Sequence, residues 1–367
     1  MKKYSPKTLI KYLIKEFSIS LILITIIFLS LILLTSFVEE VIFFKEKDID
    51  QNFLITTFLL TLIKIPSLLI SISPFILLFS GIFFYIKMLK KNEVTPFNLA
   101  GLSNKFIILV PASLSFFIGL LLILIISPIS AELSKYYEIA KQKYSNNENL
   151  LIISNTGLWL KEKKNNKSFI IRADRVKGDN FSNLSNITIY SFDNNYKNFI
   201  ERIDAKSTII NNYKWKLQQA KKISKDSEKS LKIFFHESNI NLEQLKKIFT
   251  NSSIFSIWSV NEQLKNIRER GYYGQELIIS YNKLLSLPFL LFSMICISSL
   301  FTLNIRARLN NFIYIFFGII TGITIHFLSD LSIAMGKSGQ LPLIFSIWVP
   351  TIIIMIFSIY SLIINNE

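Results

Sequence analysis

The sequence contains very few of the residues that carry chemistry in enzymes and metalloproteins. Its 367 residues include one cysteine, Cys296, and two histidines, His236 and His326. A single cysteine excludes an intrachain disulfide and a thiolate metal cluster. One histidine lies in a strand-like run and the other in a hydrophobic run, which argues against a shared metal site. Motifs of phosphate-binding loops, zinc proteases and serine hydrolases are missing too. The sequence therefore predicts no catalytic residue, no metal and no cofactor.

Long uncharged runs are missing from the middle of the chain but occur at both of its ends. A helix needs about 20 apolar residues to cross a bilayer. Six segments come close to or exceed this length: residues 17–38, 65–86, 106–127, 284–305, 312–328 and 341–363. The first has no small-residue cleavage site and is interpreted as a retained span. The stretch 53–63 is either an interfacial lead-in or the first part of a long second helix.

The middle of the chain carries short alternating apolar runs, which are typical of β-strands. These runs lie at residues 150–154, 157–160, 169–173, 187–192 and 231–235, and Asn155-Thr156-Gly157 resembles a hairpin turn. The fold class expected is a membrane α-helical protein, with six transmembrane helices arranged three plus three and an inserted all-β domain of about ten strands, a sandwich or jellyroll. The expected domains are 1–131, 132–275 and 276–367.

The chain is strongly basic, with 41 Lys and Arg against 25 Asp and Glu and a formal net charge of +16. The middle block is basic but mixed in sign and has no nucleic-acid-binding signature, so we expect a solvated surface or one that faces anionic lipid. Short-loop lysines before the first span and between the second and third spans set the orientation. Both termini are therefore expected in the cytoplasm and the β domain outside it, in the periplasm.

The spans contain almost no carboxylates, and Asp330 is expected at the outer end of the fifth, so a proton path is not expected. Energy for transport would then come from a cytosolic partner that contacts a loop. The longest cytosolic loop, residues 87–105, predicts a short docking helix near 92–103, with Asn92 as its cap, Pro96 in its first turn and Gly101 at its end. An ordinary amphipathic helix lying on the bilayer remains an alternative.

Two glycines in the fifth span, Gly318 and Gly322, form a small-xxx-small pair that allows another helix to approach closely. Packing within the same chain and contact with a homologous second subunit both remain open.

Several segments resemble the lipopolysaccharide-export permeases LptF and LptG. The resemblance covers almost the whole chain, in the order of spans as well as in motifs. It is carried by residues 93–103 and, most specifically, by the C-terminal stretches Phe327-Leu328-Ser329-Asp330-Leu331-Ser332, Gly336, Ser338-Gly339-Gln340-Leu341-Pro342 and Trp348-Val349-Pro350. The segment Ile65-Pro66-Ser67-Leu68-Leu69 and the Gly-Gln-Leu-Pro pattern look more like LptG.

This resemblance implies a permease subunit without an ATPase site of its own, in the bacterial inner membrane. It implies an LptF-like homologous subunit, a cytosolic LptB-like ATPase dimer that binds the ATP, a single-span LptC-like protein, soluble periplasmic bridge proteins, and lipopolysaccharide as the substrate. Contact with the ATPase is implied for Glu93, Leu99, Ala100 and Gly101. Spans one and five would form the lateral gate, in which the glycine pair of the fifth span lies.

Some family members have a basic residue near the outer end of the first span that meets lipid phosphates. This chain has Ser36-Phe37-Val38-Glu39-Glu40 there. Cations that could contact phosphate instead are Lys45, Lys47, Arg268, Arg270 and Lys337.

Two alternative functions fit the sequence less well. A lipoprotein-release permease has one span before its outer domain rather than three. A membrane-anchored sensor or scaffold would need a cytosolic output module that this sequence does not contain.

Overall fold

The structure is a computed structural model that describes most of the helices and strands of the chain. It describes residues 6–45, 53–99, 103–144, 150–154, 157–164, 167–177, 183–193, 198–211, 213–224, 227–238, 275–303 and 311–364, with short pieces between 257 and 265. The chain divides into two compact units. One contains residues 1–45, 50–134 and 278–367, and the other contains residues 46–49 and 135–277.

Helices form the first unit and also lead into and out of the second. They are α1 (Pro6–Lys45), α2 (Phe53–Lys90), α3 (Val94–Leu99), α4 (Asn104–Leu121), α5 (Ser127–Tyr144), α6 (Gln275–Leu303), α7 (Asn311–Lys337) and α8 (Leu343–Ile364). Among the described residues, six helical segments are long and apolar enough to cross a membrane, three on each side of the strands. The predicted arrangement of three plus three is confirmed.

The second span is a single long helix, α2, that begins at Phe53. The apolar stretch 53–63 is therefore the first part of this helix and not a separate interfacial segment. Pro66 and Pro74 both lie inside it. A proline has no N–H to bond the carbonyl four residues earlier. At Pro74 that carbonyl is the one of Ile70, and the hydroxyl of Ser73 donates to it at 2.8 Å, which satisfies the acceptor inside an apolar surrounding.

The third span changes its helical type in the middle. Helix α4 ends at Leu121, a π-helical turn covers Leu122–Ile126, and α5 continues to Tyr144. Beside this turn Gly119 packs so closely on α6 that a Cβ would lie 2.6 Å from the Cα of Pro288. Only glycine fits there without a shift of backbone.

A buried apolar cluster holds the helices of the first unit together. It includes Leu13, Phe17, Tyr85, Ile107 and Leu291, which come from α1, α2, α4 and α6. The ring of Phe17 meets that of Phe84 edge-on, with centroids 5.7 Å apart. Because the opposite faces of α1 and α7 carry exposed Ile, Leu and Phe side chains, the outer surface of this unit is apolar, as expected for helices surrounded by lipid.

The second unit contains an antiparallel sheet, which confirms the prediction of an inserted all-β domain. Its seven described strands are β1 (Leu150–Ser154), β2 (Gly157–Lys164), β3 (Lys167–Lys177), β4 (Asn183–Asp193), β5 (Phe199–Asn211), β6 (Lys214–Ser224) and β7 (Ser227–Glu237). They pair in sequence order, so each strand is joined to the next as a hairpin. Ser154 pairs with Gly157, which confirms the predicted first hairpin, although Asn155 and Thr156 lie outside the described residues.

One face of the sheet forms a second apolar core. Leu160, Ile171, Ile189 and Ile203 lie side by side across β2 to β5, and all four are buried. Trp215 and Leu217 of β6 extend the same core. Asn186 and Gln219 have left-handed backbones, with φ of 49° and 53°, and the regular pairing is interrupted at both residues.

Candidate functional site

The predicted docking loop is the connection between α2 and α4, and its first residues close the end of α2. Asn92 has φ of 53°, its N–H bonds the carbonyl of Leu89 at 3.0 Å, and the N–H of Glu93 bonds that of Met88 at 3.0 Å. This is the Schellman arrangement of a helix C-terminus. The prediction that Asn92 caps the following helix is therefore wrong. Asn92 tolerates the left-handed conformation that ends α2, and α3 begins two residues later.

Glu93 is held by two side chains at the start of α3. The hydroxyl of Tyr12 in α1 donates to its Oε1 at 2.7 Å, and Nζ of Lys91 lies 3.5 Å from the same oxygen. One turn further along α1, Oε2 of Glu16 pairs with Nζ of Lys87 at 2.7 Å. The sequence drew attention to Glu93 but not to Tyr12, because 81 positions separate the two residues.

The short helix α3 has one buried and one exposed large apolar residue. Phe97 is 5% exposed and belongs to the buried cluster of the first unit, whereas Leu99 is 84% exposed. The ring of Phe97 lies 6.5 Å from that of Tyr12, centroid to centroid. Ala100 and Gly101 lie outside the described residues. The short helix α3 is thus anchored by one buried apolar side chain and carries a second one that projects outward.

Gly318 and Gly322 of α7 pack on α2 of the same chain. A Cβ on Gly318 would lie 2.5 Å from Cδ1 of Ile82, and one on Gly322 would lie 2.7 Å from Cε1 of Phe75. Both glycines are buried. Of the two readings left open by the sequence, the intrachain contact is present.

The corner between α7 and α8 shows why the C-terminal motif residues occur together. Pro350 has no N–H for the carbonyl of Ser346, and the hydroxyl of Ser332 in α7 donates to this carbonyl at 2.6 Å. A Cβ on Gly336 would lie 2.4 Å from Oγ of Ser346, so the helices are in close contact. Gly339 has φ of 80°, which permits the turn between them. The Nε1 of Trp348 donates to Oδ1 of Asn282 in α6 at 3.1 Å.

His326 and Asp330 form a polar pair on an open face of α7. Their Nδ1 and Oδ2 atoms lie 2.9 Å apart, and both side chains are more than half exposed. The prediction placed Asp330 at the end of its span. Because α7 continues to Lys337, Asp330 in fact lies about two helical turns before the end of the helix.

Cations of α1, α2 and α7 include two of the predicted phosphate contacts. Lys45 and Lys337 are in the last turns of α1 and α7. Lys47, Arg268 and Arg270 lie outside the described residues. Lys64 of α2 was not predicted; its Nζ lies 2.9 Å from Oε2 of Glu39 and 4.0 Å from Oε1 of the buried Glu40. One lysine of the neighbouring helix thus pairs closely with Glu39 and lies at the edge of ion-pair distance from Glu40, in the acidic pair that departs from the family pattern.

A buried polar cluster connects strands β2 and β7 of the sheet. Glu162 is inaccessible to solvent; its Oε1 lies 2.8 Å from Nε2 of His236, and its Oε2 accepts from Oγ of Ser238 at 2.6 Å. The hydroxyl and the imidazole both contact the carboxylate and do not form a relay from serine to histidine. On the sheet surface, the guanidinium of Arg202 donates a hydrogen bond to the carboxylate of Asp204, and this bond raises the pKa of Arg202.

A comparison with known protein families matches residues 11–364 to the model described as lipopolysaccharide export system permease LptF/LptG. The chain belongs to the LptF/LptG family. No curated protein matches the chain. The family match confirms the resemblance drawn from the residues. It covers both paralogues together, so the more LptG-like character of the chain stays a prediction.

Membership in the LptF/LptG family identifies the six apolar helices as membrane spans. The chain is a multi-pass protein of the inner membrane and a lipopolysaccharide export permease, that is, a component of a transporter and not an enzyme. The corner of Ser332, Gly336 and Pro350 and the docking loop around Glu93 are the two places where residues that resemble LptF and LptG have a clear structural role.

Proposed function

We propose that this chain is the LptG-like subunit of an exporter that ATP hydrolysis drives, and that it extracts lipopolysaccharide from the inner membrane and passes it to a periplasmic bridge. An LptF-like subunit would complete the permease, and a cytosolic LptB-like ATPase dimer would bind and hydrolyse ATP. An LptC-like single-span protein and soluble bridge proteins would receive the lipid. The family match supports lipopolysaccharide as the substrate. The arrangement of six apolar helices and a separate β unit supports a permease whose partner proteins hydrolyse ATP and receive the lipid.

The observation that carries the ATP-driven part of this proposal is the contrast between Phe97 and Leu99. Phe97 anchors α3 in the buried cluster, while Leu99 projects from the same short helix into the surroundings. Within the described helix α3, an exposed Leu beside a buried Phe anchor suits insertion of the Leu into a hydrophobic groove of a partner protein. Ala100 and Gly101, which follow it, complete the proposed contact. A helix that lay flat on the bilayer would instead turn several apolar residues to the lipid.

Lysines near the loop support a cytoplasmic location for it. Lys87, Lys90, Lys91 and Lys105 flank α3, and basic residues in short loops resist translocation. With the loop in the cytoplasm, three spans before the sheet and three after it leave both termini in the cytoplasm and the β domain in the periplasm.

On the opposite side of the membrane, cations at helix ends would meet the phosphates of the lipid. Lys45 and Lys337 are the described candidates, and Lys47, Arg268 and Arg270 are further ones. Lys64 is already paired with Glu39, so a phosphate would have to compete with a carboxylate for it. The β domain would shield acyl chains from water, since exposing each methylene costs about 0.8 kcal/mol.

Affinity purification of the tagged full-length chain in mild detergent tests this proposal. We expect a homologous six-span protein and a soluble ATPase to copurify, with ATP turnover that lipopolysaccharide stimulates. A chain that purifies alone or only with copies of itself, and without ATPase activity, would favour a scaffold or sensor.

The charge reversal Glu93→Lys tests the docking loop. It places a cation beside Lys91 and removes the acceptor for Tyr12. We expect lipid release per ATP to fall by about tenfold, the size of one lost charge-assisted hydrogen bond, while the protein remains folded by size-exclusion chromatography. Glu237→Lys, an exposed carboxylate on β7, is the control and should leave release unchanged.

A further inference from the structure

The loop helix α3 is tied to α1 as well as to the two helices that it connects in sequence. We name the two ties together the α1 clamp: the hydrogen bond from Tyr12 to Glu93 at 2.7 Å and the ion pair between Glu16 and Lys87 at 2.7 Å. Tyr12 and Glu16 are four residues apart, so they lie on the same face of α1. The hydrogen bond of Tyr12 holds the start of α3, and the ion pair of Glu16 holds the last turn of α2.

The two ties act at a place where α1 is otherwise firmly packed. Leu13 and Phe17, which lie next to the clamp residues in the sequence, are fully buried and belong to the same cluster as Phe97. Interiors packed in this way transmit displacement instead of absorbing it. A shift of α3 would therefore be passed to α1, provided that the clamp holds.

The hydroxyl of Tyr12 is the specific part of this connection. The ring of Tyr12 is tilted by 33° relative to that of Phe97, with the centroids 6.5 Å apart, and a phenylalanine would keep this arrangement. Only the hydroxyl reaches the carboxylate of Glu93, and a hydrogen bond to an ionised acceptor is stronger than one between neutral groups. The side chain of Glu93 is only 22% exposed, and this partial burial further favours the bond.

We infer that Tyr12 is a positioning residue that couples the docking helix α3 to the first span, so that movement of α3 by a bound ATPase displaces α1. This inference rests on the proposed function. It does not concern binding of the ATPase, which the exposed side of α3 would provide. It concerns the transmission of the movement after binding, and it predicts that the two steps can be separated by substitution.

Tyr12→Phe is the test, in the full-length chain assembled with the copurifying permease subunit and ATPase and reconstituted with lipopolysaccharide. We measure three quantities: the amount of ATPase bound, the rate of ATP hydrolysis and the lipid released per ATP. In Tyr12→Phe we expect bound ATPase to stay unchanged and lipid per ATP to fall by about tenfold, as for one hydrogen bond to a charged group. Tyr136→Phe, which removes an exposed hydroxyl on α5, should leave all three unchanged.

Two further variants distinguish a lost hydrogen bond from general damage. Glu93→Gln keeps an oxygen that accepts from Tyr12 but removes the charge, so its lipid release per ATP should lie between that of the unmodified chain and that of Tyr12→Phe. Adding Tyr12→Phe to it should lower release to the level of Tyr12→Phe alone. Glu16→Lys should lower release, and the charge swap Glu16→Lys with Lys87→Glu should restore part of it.

The possible outcomes distinguish a failure of the proposed function from a failure of the coupling role of Tyr12. If the unmodified chain binds no ATPase or releases no lipid, the proposed function itself fails, and the coupling role falls with it. If the unmodified complex works and Tyr12→Phe releases as much lipid per ATP, the coupling role of Tyr12 is wrong and the proposed function stands. A Tyr12→Phe variant that merely loses its ATPase would also overturn the inference, because Tyr12 would then support docking.

Discussion

Among the residues that the structure describes, two buried carboxylates each lie close to a polar or basic side chain of another element. Glu40 in the membrane unit and Glu162 in the β domain are both almost inaccessible to solvent. Glu40 faces Lys64 of α2, and Glu162 contacts His236 and Ser238. Because a buried charge is costly unless it is paired and hydrogen-bonded, these residues report on how the elements around them must be arranged.

Replacing Glu162 by alanine should destabilise the β domain. The variant would leave the imidazole of His236 and the hydroxyl of Ser238 without their buried acceptor, and we expect the free energy of unfolding to fall by about 3 kcal/mol. Thermal unfolding of the full chain in detergent, followed by tryptophan fluorescence, measures the change, since Trp215 lies 6.4 Å from the His236 ring.

Glu228→Ala is the matched control for this substitution. Glu228 is exposed and pairs with Lys221, and an exposed pair of this kind is worth less than about 1 kcal/mol. Equal losses in the two variants would mean that the buried cluster contributes nothing beyond an ordinary surface pair.

At the scale of elements, several helices are longer than the hydrophobic runs that predicted them. The apolar pattern predicts residues 17–38 for the first span, whereas α1 extends from Pro6 to Lys45. Glu39 and Glu40 interrupt the apolar run, yet the helix continues through them to Lys45, and Nζ of Lys64 in α2 pairs with Oε2 of Glu39 there. Composition therefore predicts the presence and order of the spans, whereas the end of α1 lies beyond the point where its apolar run is interrupted.

Other local features could not be predicted because they depend on partners distant in sequence. The π-helical turn at Leu122–Ile126 has no signal in a run of Leu and Ile. Asn92 was interpreted as a cap for α3 because Asn is common there, yet the same residue type also suits the left-handed end of a preceding helix. The contact of Tyr12 with Glu93 joins positions that only the packing of α1 on α2 brings together.

The corner between α7 and α8 predicts a test of linked residues. Ser332→Ala removes the donor to the Ser346 carbonyl that Pro350 leaves without a helical partner. We expect unfolding to be easier by about 1–2 kcal/mol. In a Pro350→Ala background the restored N–H can bond that carbonyl, so Ser332→Ala should then cost clearly less. Unfolding of all four variants in detergent completes a double-mutant cycle. Additive losses would show that the serine and the proline act independently.

A second element-scale prediction concerns the close approach of α4 and α6. Gly119→Ala places a methyl group 2.6 Å from backbone of Pro288, so a helix must move, at a cost of about 1–3 kcal/mol. Gly318→Ala is the control, because its methyl group meets Cδ1 of Ile82, the end of a flexible side chain. Thermal unfolding in detergent should rank Gly119→Ala as the less stable variant; the reverse order would contradict the packing described for the third span.

At the scale of the whole molecule, the two compact units correspond to two environments. The helical unit exposes Ile, Leu and Phe, while the exposed residues of strand β6 are Lys214, Gln219 and Lys221. This division was predictable, since it follows from the distribution of charge along the chain. The register of the sheet was not, because shifting a strand by one residue exchanges its two faces. Only the structure shows that Ile171 and Trp215 are buried while Tyr190 is partly exposed.

Orientation in the membrane connects both units to the proposed function and can be measured directly. In a Cys296→Ala background, single cysteines at Leu99→Cys in the docking loop and Lys229→Cys on β7 report the two sides. Both positions are exposed. In intact spheroplasts a membrane-impermeant maleimide should label position 229 at once and position 99 only after the membrane is opened, as the proposed cytoplasmic location of the lysine-flanked loop requires. Labelling of position 99 from outside would put the loop beyond the reach of a cytosolic ATPase, and the proposed energy source would then be wrong whatever the lipid.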